Sequence, residues 1–170
     1  MATRPFKFAA FAVATVLLSI AGWSQTPQEV PAAPLPSQIA AAKAIFISNA
    51  GEENGYLAER NHWYPGGPAR AYNQFYAAMK SWGRYELVST PGDAELIFEI
   101  QQQDQVAPSQ PQAYLMLRII ELKTHTTLWT LWKPVDIAGR AANREKNYNL
   151  AVTALVDGLK NLVSPAAPKN

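Results

Sequence analysis

The chain contains no cysteine. That excludes disulfides, thiol catalysis and cysteine–zinc sites, and it also excludes the lipidated cysteine of a bacterial lipoprotein. Histidine is almost as scarce. His62 and His125 are the only two, and neither belongs to an H-x-H or H-E-x-x-H spacing. A zinc site needs three or four ligands, so two distant histidines read as residues of surface turns. Charged residues make up 16% of the chain, below the ~25% of ordinary globular proteins. This speaks against a charged filament and against a nucleic-acid-binding tail. No G-x-G-x-x-G, P-loop or G-x-S-x-G sequence occurs, so the familiar phosphate cradles and the nucleophile elbow are missing. Glu52, Glu53 and Asn54 are adjacent, whereas a calcium loop alternates its ligands over about twelve residues. There are no internal repeats.

The 170 residues are 48% hydrophobic and 11% aromatic. That is apolar enough to bury a core, and global disorder is excluded. The formal net charge is +2, from 15 basic and 13 acidic residues. Two of the basic residues, Arg4 and Lys7, precede the uncharged run Phe8–Gly22 (FAAFAVATVLLSIAG). A short basic segment followed by an apolar one of this length has the layout of a secretory signal peptide. The run is short for a permanent anchor, since a bilayer-spanning helix needs ~20 apolar residues. Gly22 and Ser24 are small residues placed for cleavage after residue 24, and cleavage after Ala21 is the second choice. Without its leader the chain carries thirteen charges of each sign. The expected localisation is therefore exported, periplasmic or secreted, with membrane contact only through the signal segment.

Four stretches follow from composition: 1–24 signal peptide, 25–42 Pro/Ala-rich linker, 43–163 a single domain, and 164–170 a disordered tail. Pro27, Pro31, Pro34 and Pro36 bias the linker towards extended conformations. Within the domain, Ala44–Ser48 is an apolar run that fits a buried strand. Asn49–Gly67 reads as a long loop. Tyr72, Phe75, Tyr76, Met79 and Trp82 recur at three- and four-residue spacing, which predicts an amphipathic helix capped by Gly83. Tyr85–Ser89 and Glu95–Gln101 read as strands, and Gln102–Gln112 as a loop. Tyr114–Leu122 is apolar on both faces and so a central strand, and Thr127–Val135 is the next. Tyr148, Ala151, Val152, Leu155, Leu159, Leu162 and Val163 form the stripe of a last helix. The expected fold class is α/β (α+β): a two-layer sandwich with a five-stranded mixed sheet in the order β-α-β-β-β-β-α. Both helices lie on one face, after a right-handed first crossover and before an antiparallel meander.

The segments GGPARAYNQFYAAMKSWGRYELVSTPGDAELIFEI (66–100) and LMLRIIELKTHTTLW (115–129), with the terminal amphipathic helix, resemble a group of small exported bacterial proteins of unknown function. Some of these lie near envelope accessory lipoproteins. More remotely, the layout is similar to the α/β domains of outer-membrane activators of cell-wall synthases, and to the amino-terminal domain of the Tol-system propeller protein. The resemblance covers 43–163 and rests on turns and core positions rather than on catalytic signatures. It implies an envelope accessory role. The chain departs from many such proteins in having no cysteine to lipidate.

The candidate binding residues are Tyr56, Arg60, His62, Trp63, Tyr64 and Arg70. The first five lie in a loop that leaves the carboxyl end of the first strand, where open α/β sheets place their ligand sites. Large rings and arginine carry much of the energy of interfaces. Arg70 lies one turn into a helix that follows Gly66 and Gly67. Free N–H groups there could hold an anion, or the glycines could form a plain turn that lets the helix dock. Trp129 and Trp132 fall on opposite faces of their strand by period two, which leaves one of them on the far side of the sheet.

The leading expectation is a non-enzymatic exported domain that binds an envelope protein or cell-wall component, with no cofactor and no nucleic acid. The alternative is a hydrolytic or metal-dependent enzyme using His62 with Glu52 and Glu53. A third reading, a domain that serves to oligomerise, requires a long exposed edge strand. The oligomeric state itself stays open at this level.

Overall fold

A computed structural model describes residues 34–53, 67, 69–106, 111–136 and 138–164. The elements run α1 (Ser37–Ala41), β1 (Ala44–Glu53), α2 (Arg70–Trp82), β2 (Glu86–Val88), a 3-10 turn at Pro91–Asp93, β3 (Leu96–Val106), β4 (Pro111–Glu121), β5 (Thr127–Val135) and α3 (Ala141–Val163). The five strands form one sheet in the order β2-β1-β3-β4-β5. β1 is parallel to both of its neighbours, while β3, β4 and β5 form an antiparallel meander. This is the expected mixed sheet.

Period two sorts the strand side chains onto two faces. Ile45 and Ile47 of β1, Leu96, Phe98 and Ile100 of β3, and Leu115, Leu117 and Ile119 of β4 are buried on the face that carries the helices. α2 presents Phe75 and Met79 to them, and α3 presents Tyr148, Ala151, Val152, Leu155 and Leu159. α2 stops where the sequence predicts. Gly83 takes φ 67° and donates its N–H to the Met79 carbonyl, a left-handed cap that costs glycine little.

Three boundaries differ from the sequence reading. First, packed structure begins inside the stretch assigned to the linker. α1 buries Ile39, and Ala42 is buried after it. The Tyr85 hydroxyl donates to the Ile39 carbonyl at 2.7 Å, and Arg84 donates to the Ala40 carbonyl. Pro36 stands at the N-cap of the helix without interrupting it. Second, β1 continues to Glu53 through an irregularity between Asn49 and Glu52. Gly51 takes φ 77° there and donates its N–H to Asn49 Oδ1 at 2.9 Å. Third, most of Gln102–Gln112 is strand rather than loop. The β3–β4 ladder runs on from Gln102↔Leu115 to Val106↔Pro111. Pro108 and Pro111 make this stretch read as a loop, but the glutamines before them pair readily once a partner strand lies alongside.

Candidate functional site

Two regions concentrate polar and aromatic side chains. The first lies where β1, β3, α2 and α3 meet. The main chain of Glu52 and Glu53 is strand, paired with Gln102 and Gln103 of β3. Arg70 opens α2 and is only 6% exposed. Its guanidinium lies 3.8 Å from the centre of the Tyr148 ring, and one nitrogen is 2.8 Å from Glu145 Oε2. The Tyr148 hydroxyl in turn donates to Gln102 Oε1 at 3.0 Å, and both of these residues are buried. A stacked and desolvated cation of this kind can contribute about 2 kcal/mol. Arg70, a candidate to assist an anion at the helix start, is engaged here by an aromatic face and a carboxylate that both come from α3. One turn further along α2, Gln74 Oε1 is buried without a hydrogen-bond partner.

Tyr56, Arg60, His62, Trp63 and Tyr64 lie outside the described residues, and so does the proposed partnership of His62 with the two glutamates. Among the described residues no group of three or more histidines, aspartates and glutamates could hold a metal ion. His125 lies at the tip of the β4–β5 turn, exposed and with φ 55°, which fits the surface turn expected for it.

The second region is the face of the sheet opposite the helices. Cross-strand pairing aligns Gln101, Met116 and Trp132 across β3, β4 and β5, and aligns Glu99, Arg118 and Thr130 beside them. Trp132 is 44% exposed, and its ring meets Tyr114 edge to face at 6.4 Å. Arg118 donates from Nε to Glu99 Oε1 at 2.7 Å, with a second bond from its terminal nitrogen. Gln103 donates to Gln101 Oε1. The result is an exposed Trp132 and a half-buried Tyr114 over a buried Met116, bordered by an arginine–glutamate pair. Trp129 lies on the other side and packs against the core. The two tryptophans therefore divide between the faces as their spacing requires. The sequence marks one of Trp129 and Trp132 as a candidate without saying which, and it reads Tyr114, Met116 and Arg118 only as parts of a central strand.

A cleft of about 550 Å³ opens at the far end of the sheet from Arg70, lined by residues that include Gln38, Ala42, Glu95, Leu96, Glu121 and Lys123. Lys43 donates its backbone N–H to Glu95 Oε2 at 2.7 Å along this rim. The cleft shares no residue with either polar region. Tyr85 titrates above its ordinary value. Burial pushes its phenol above the ordinary 10.0, and neighbouring Arg84 pulls it part of the way back. Its hydrogen bond to Ile39 marks it as a structural strut between α1 and the sheet.

No protein-family model matches the chain, and no curated protein matches it. Solved structures do match. PelC from Paraburkholderia phytofirmans, solved as a dodecamer, superposes with a TM-score of 0.50 at 8% identity, over 76% of this chain and 95% of its own. Protein XCC0632 from Xanthomonas campestris gives 0.46 at 12% identity, over 78% and 94%. Lipoprotein GNA1162 from Neisseria meningitidis gives 0.38 at 10%, over 70% and 99%. At these identities what the chain shares with PelC is its fold.

Proposed function

We propose that the protein is a non-enzymatic accessory domain of the bacterial envelope. It is exported by its leader and binds a protein or cell-wall partner across the open face of its sheet. The observation that carries this reading is the pair of rings on that face, exposed Trp132 and half-buried Tyr114, beside the Arg118–Glu99 pair. Aromatic rings with an arginine at their border are the composition of an interface centre rather than of a solvent-facing sheet. The basic-then-apolar leader supports the location. The stretch Tyr56–Tyr64, with Arg60, His62 and Trp63, enters the same proposal as a second contact, in the sequence that follows β1. The remote likeness to cell-wall-synthase activators belongs to it as well.

The test is photocrosslinking in living cells. A photoreactive residue replaces Gln101, in the middle of the open face, and in a second strain replaces the exposed Asn149 on α3. Adducts with an envelope component should form from position 101 and not from 149. Trp132→Ala should lower the yield at 101 about thirtyfold, corresponding to an anchor worth ~2 kcal/mol. Equal labelling from both positions, or a yield that ignores Trp132, refutes the assignment.

A further inference from the structure

β5 is an edge strand of nine residues. Among the described residues, the backbone hydrogen bonds of β5 go to β4 and none reaches its outer side. An unpaired edge of this length is a template for another strand, and soluble proteins usually blunt such edges with charges, prolines or bulges. Here those devices lie only at the two ends. Lys133 and Pro134 close one end. At the other, Leu128 is the extra residue of an irregularity, since Ile119 pairs with Trp129 and Ile120 with Thr127. The regular, proline-free part is Trp129–Lys133. The two exposed large hydrophobic side chains among the described residues, Trp132 at 44% and Leu150 at 56%, flank this same edge. Trp132 borders it on the open face. Leu150 borders it in the helix layer, lining a 190 Å³ cleft with Lys133, Pro134, Asp136, Asn147 and Ala154.

The geometry points to a second copy of this chain as the occupant, with β5 pairing antiparallel to β5 about a two-fold axis through Leu131. A lone peptide strand would extend the sheet layer and leave Leu150 in water. A second copy brings its own helix layer to the same edge, and a two-fold operator uses one surface twice. The sequence of the edge suits that operator. With Leu131 on the axis, Trp129 of each copy faces Lys133 of the other, so an ammonium meets an aromatic ring and no lysine faces a lysine. On the open face Thr130 faces Trp132, and the two Trp132 rings are diagonal neighbours within ~7–8 Å. The dimer joins two five-stranded sheets into one continuous surface. This proposal stands apart from the partner-binding reading, which the probe at position 101 addresses separately.

The absence of cysteine makes the test direct. Thr130→Cys and Trp132→Cys are made in separate full-length chains, exported, purified and mixed under mild oxidation at a concentration about tenfold above the dissociation constant of the Trp132→Lys chain, so that loss of one indole does not itself prevent pairing. Residues 130 and 132 face each other across the axis, so the mixture should give a disulfide-linked heterodimer at least tenfold in excess of the product from either chain alone. Analytical ultracentrifugation of the unaltered exported protein should show a concentration-dependent dimer. Trp132→Lys and Leu150→Lys, both at exposed positions, should each raise its dissociation constant at least tenfold with the far-UV spectrum unchanged. A protein that stays monomeric up to about 100 µM overturns the proposal; weaker pairing than this falls short of a specific interface. So does a dimer indifferent to both lysine variants, or a mixture that crosslinks no better than its components.

Discussion

Tyr148 offers the sharpest test of how the two helices are held over the sheet. Its ring is fully buried, Arg70 stacks on it at 3.8 Å, and its hydroxyl donates to Gln102. Tyr148→Phe keeps the ring and the stack and removes one donor. A net hydrogen bond is worth about 1 kcal/mol, and a buried acceptor that loses its donor adds up to about 1 kcal/mol more. The expected loss is therefore ~1–2 kcal/mol. Tyr148→Leu also removes the aromatic face beneath a desolvated guanidinium and leaves unfilled volume, so the expected loss is ~3–5 kcal/mol. Thermal unfolding followed by far-UV circular dichroism separates the two. At about 3–5 °C per kcal/mol for a domain of this size, the first variant should melt roughly 3–10 °C early and the second roughly 9–25 °C early. In an Arg70→Met background the gap between Phe and Leu should shrink by about 2 kcal/mol, because the stack is already gone. If Phe and Leu cost the same, or if the gap ignores Arg70, the ring does not carry the guanidinium and the account of this cluster is wrong.

Phe75→Ala, at a fully buried position on α2, should destabilise the fold by about 3–5 kcal/mol; a melting temperature within a few degrees of the parent would mean that α2 does not pack over the sheet. Tyr85 has a folded pKa raised above that of the unfolded chain. The native state thus holds its proton more tightly, and the associated stability is intact below about pH 10 and lost as pH rises beyond it. Tyr85→Phe should flatten that alkaline decline in a pH series of urea midpoints, while lowering stability at neutral pH through loss of the bond to Ile39. Mass spectrometry of the exported protein should show a chain beginning at Gln25, and a full-length chain retained in the inner membrane would refute the leader assignment.

The parts of this fold that are legible in the sequence are those written by local rules. The α2 stripe and Gly83 obey helix periodicity and left-handed capping, and Trp129 and Trp132 obey strand alternation. The parts that are not legible depend on partners far along the chain. Gln102–Val106 becomes strand because β4 lies beside it. Gln102 is buried because Tyr148, 46 residues later, hydrogen-bonds it. Arg70 reads as an open cation until Glu145, 75 residues later, closes on it. Ser37–Ala41 follows a run of prolines and reads as tether, because the contacts that hold it come from Arg84 and Tyr85. Of the candidate site, alternation tells that one of Trp129 and Trp132 lies on the open face, but only the register that pairs Met116 with Trp132 says which, and the same register gives the neighbours on β4 their meaning.

The placement of β1 also sets a clock. This strand is the first to be synthesised, yet it lies between β2 and β3, and Lys43 at its head bonds to Glu95, 52 residues downstream. Contacts that close long loops form late. At ~5–20 residues per second a ribosome takes roughly 3–10 s to deliver that partner. During that interval the apolar run Ala44–Ser48 has no sheet to join. The meander of β3, β4 and β5, whose pairings are short-range, is the part able to fold first and give β1 an edge to dock on. A nascent chain with this topology cannot close its sheet until the meander has been made, so its first strand is left unpaired for most of synthesis.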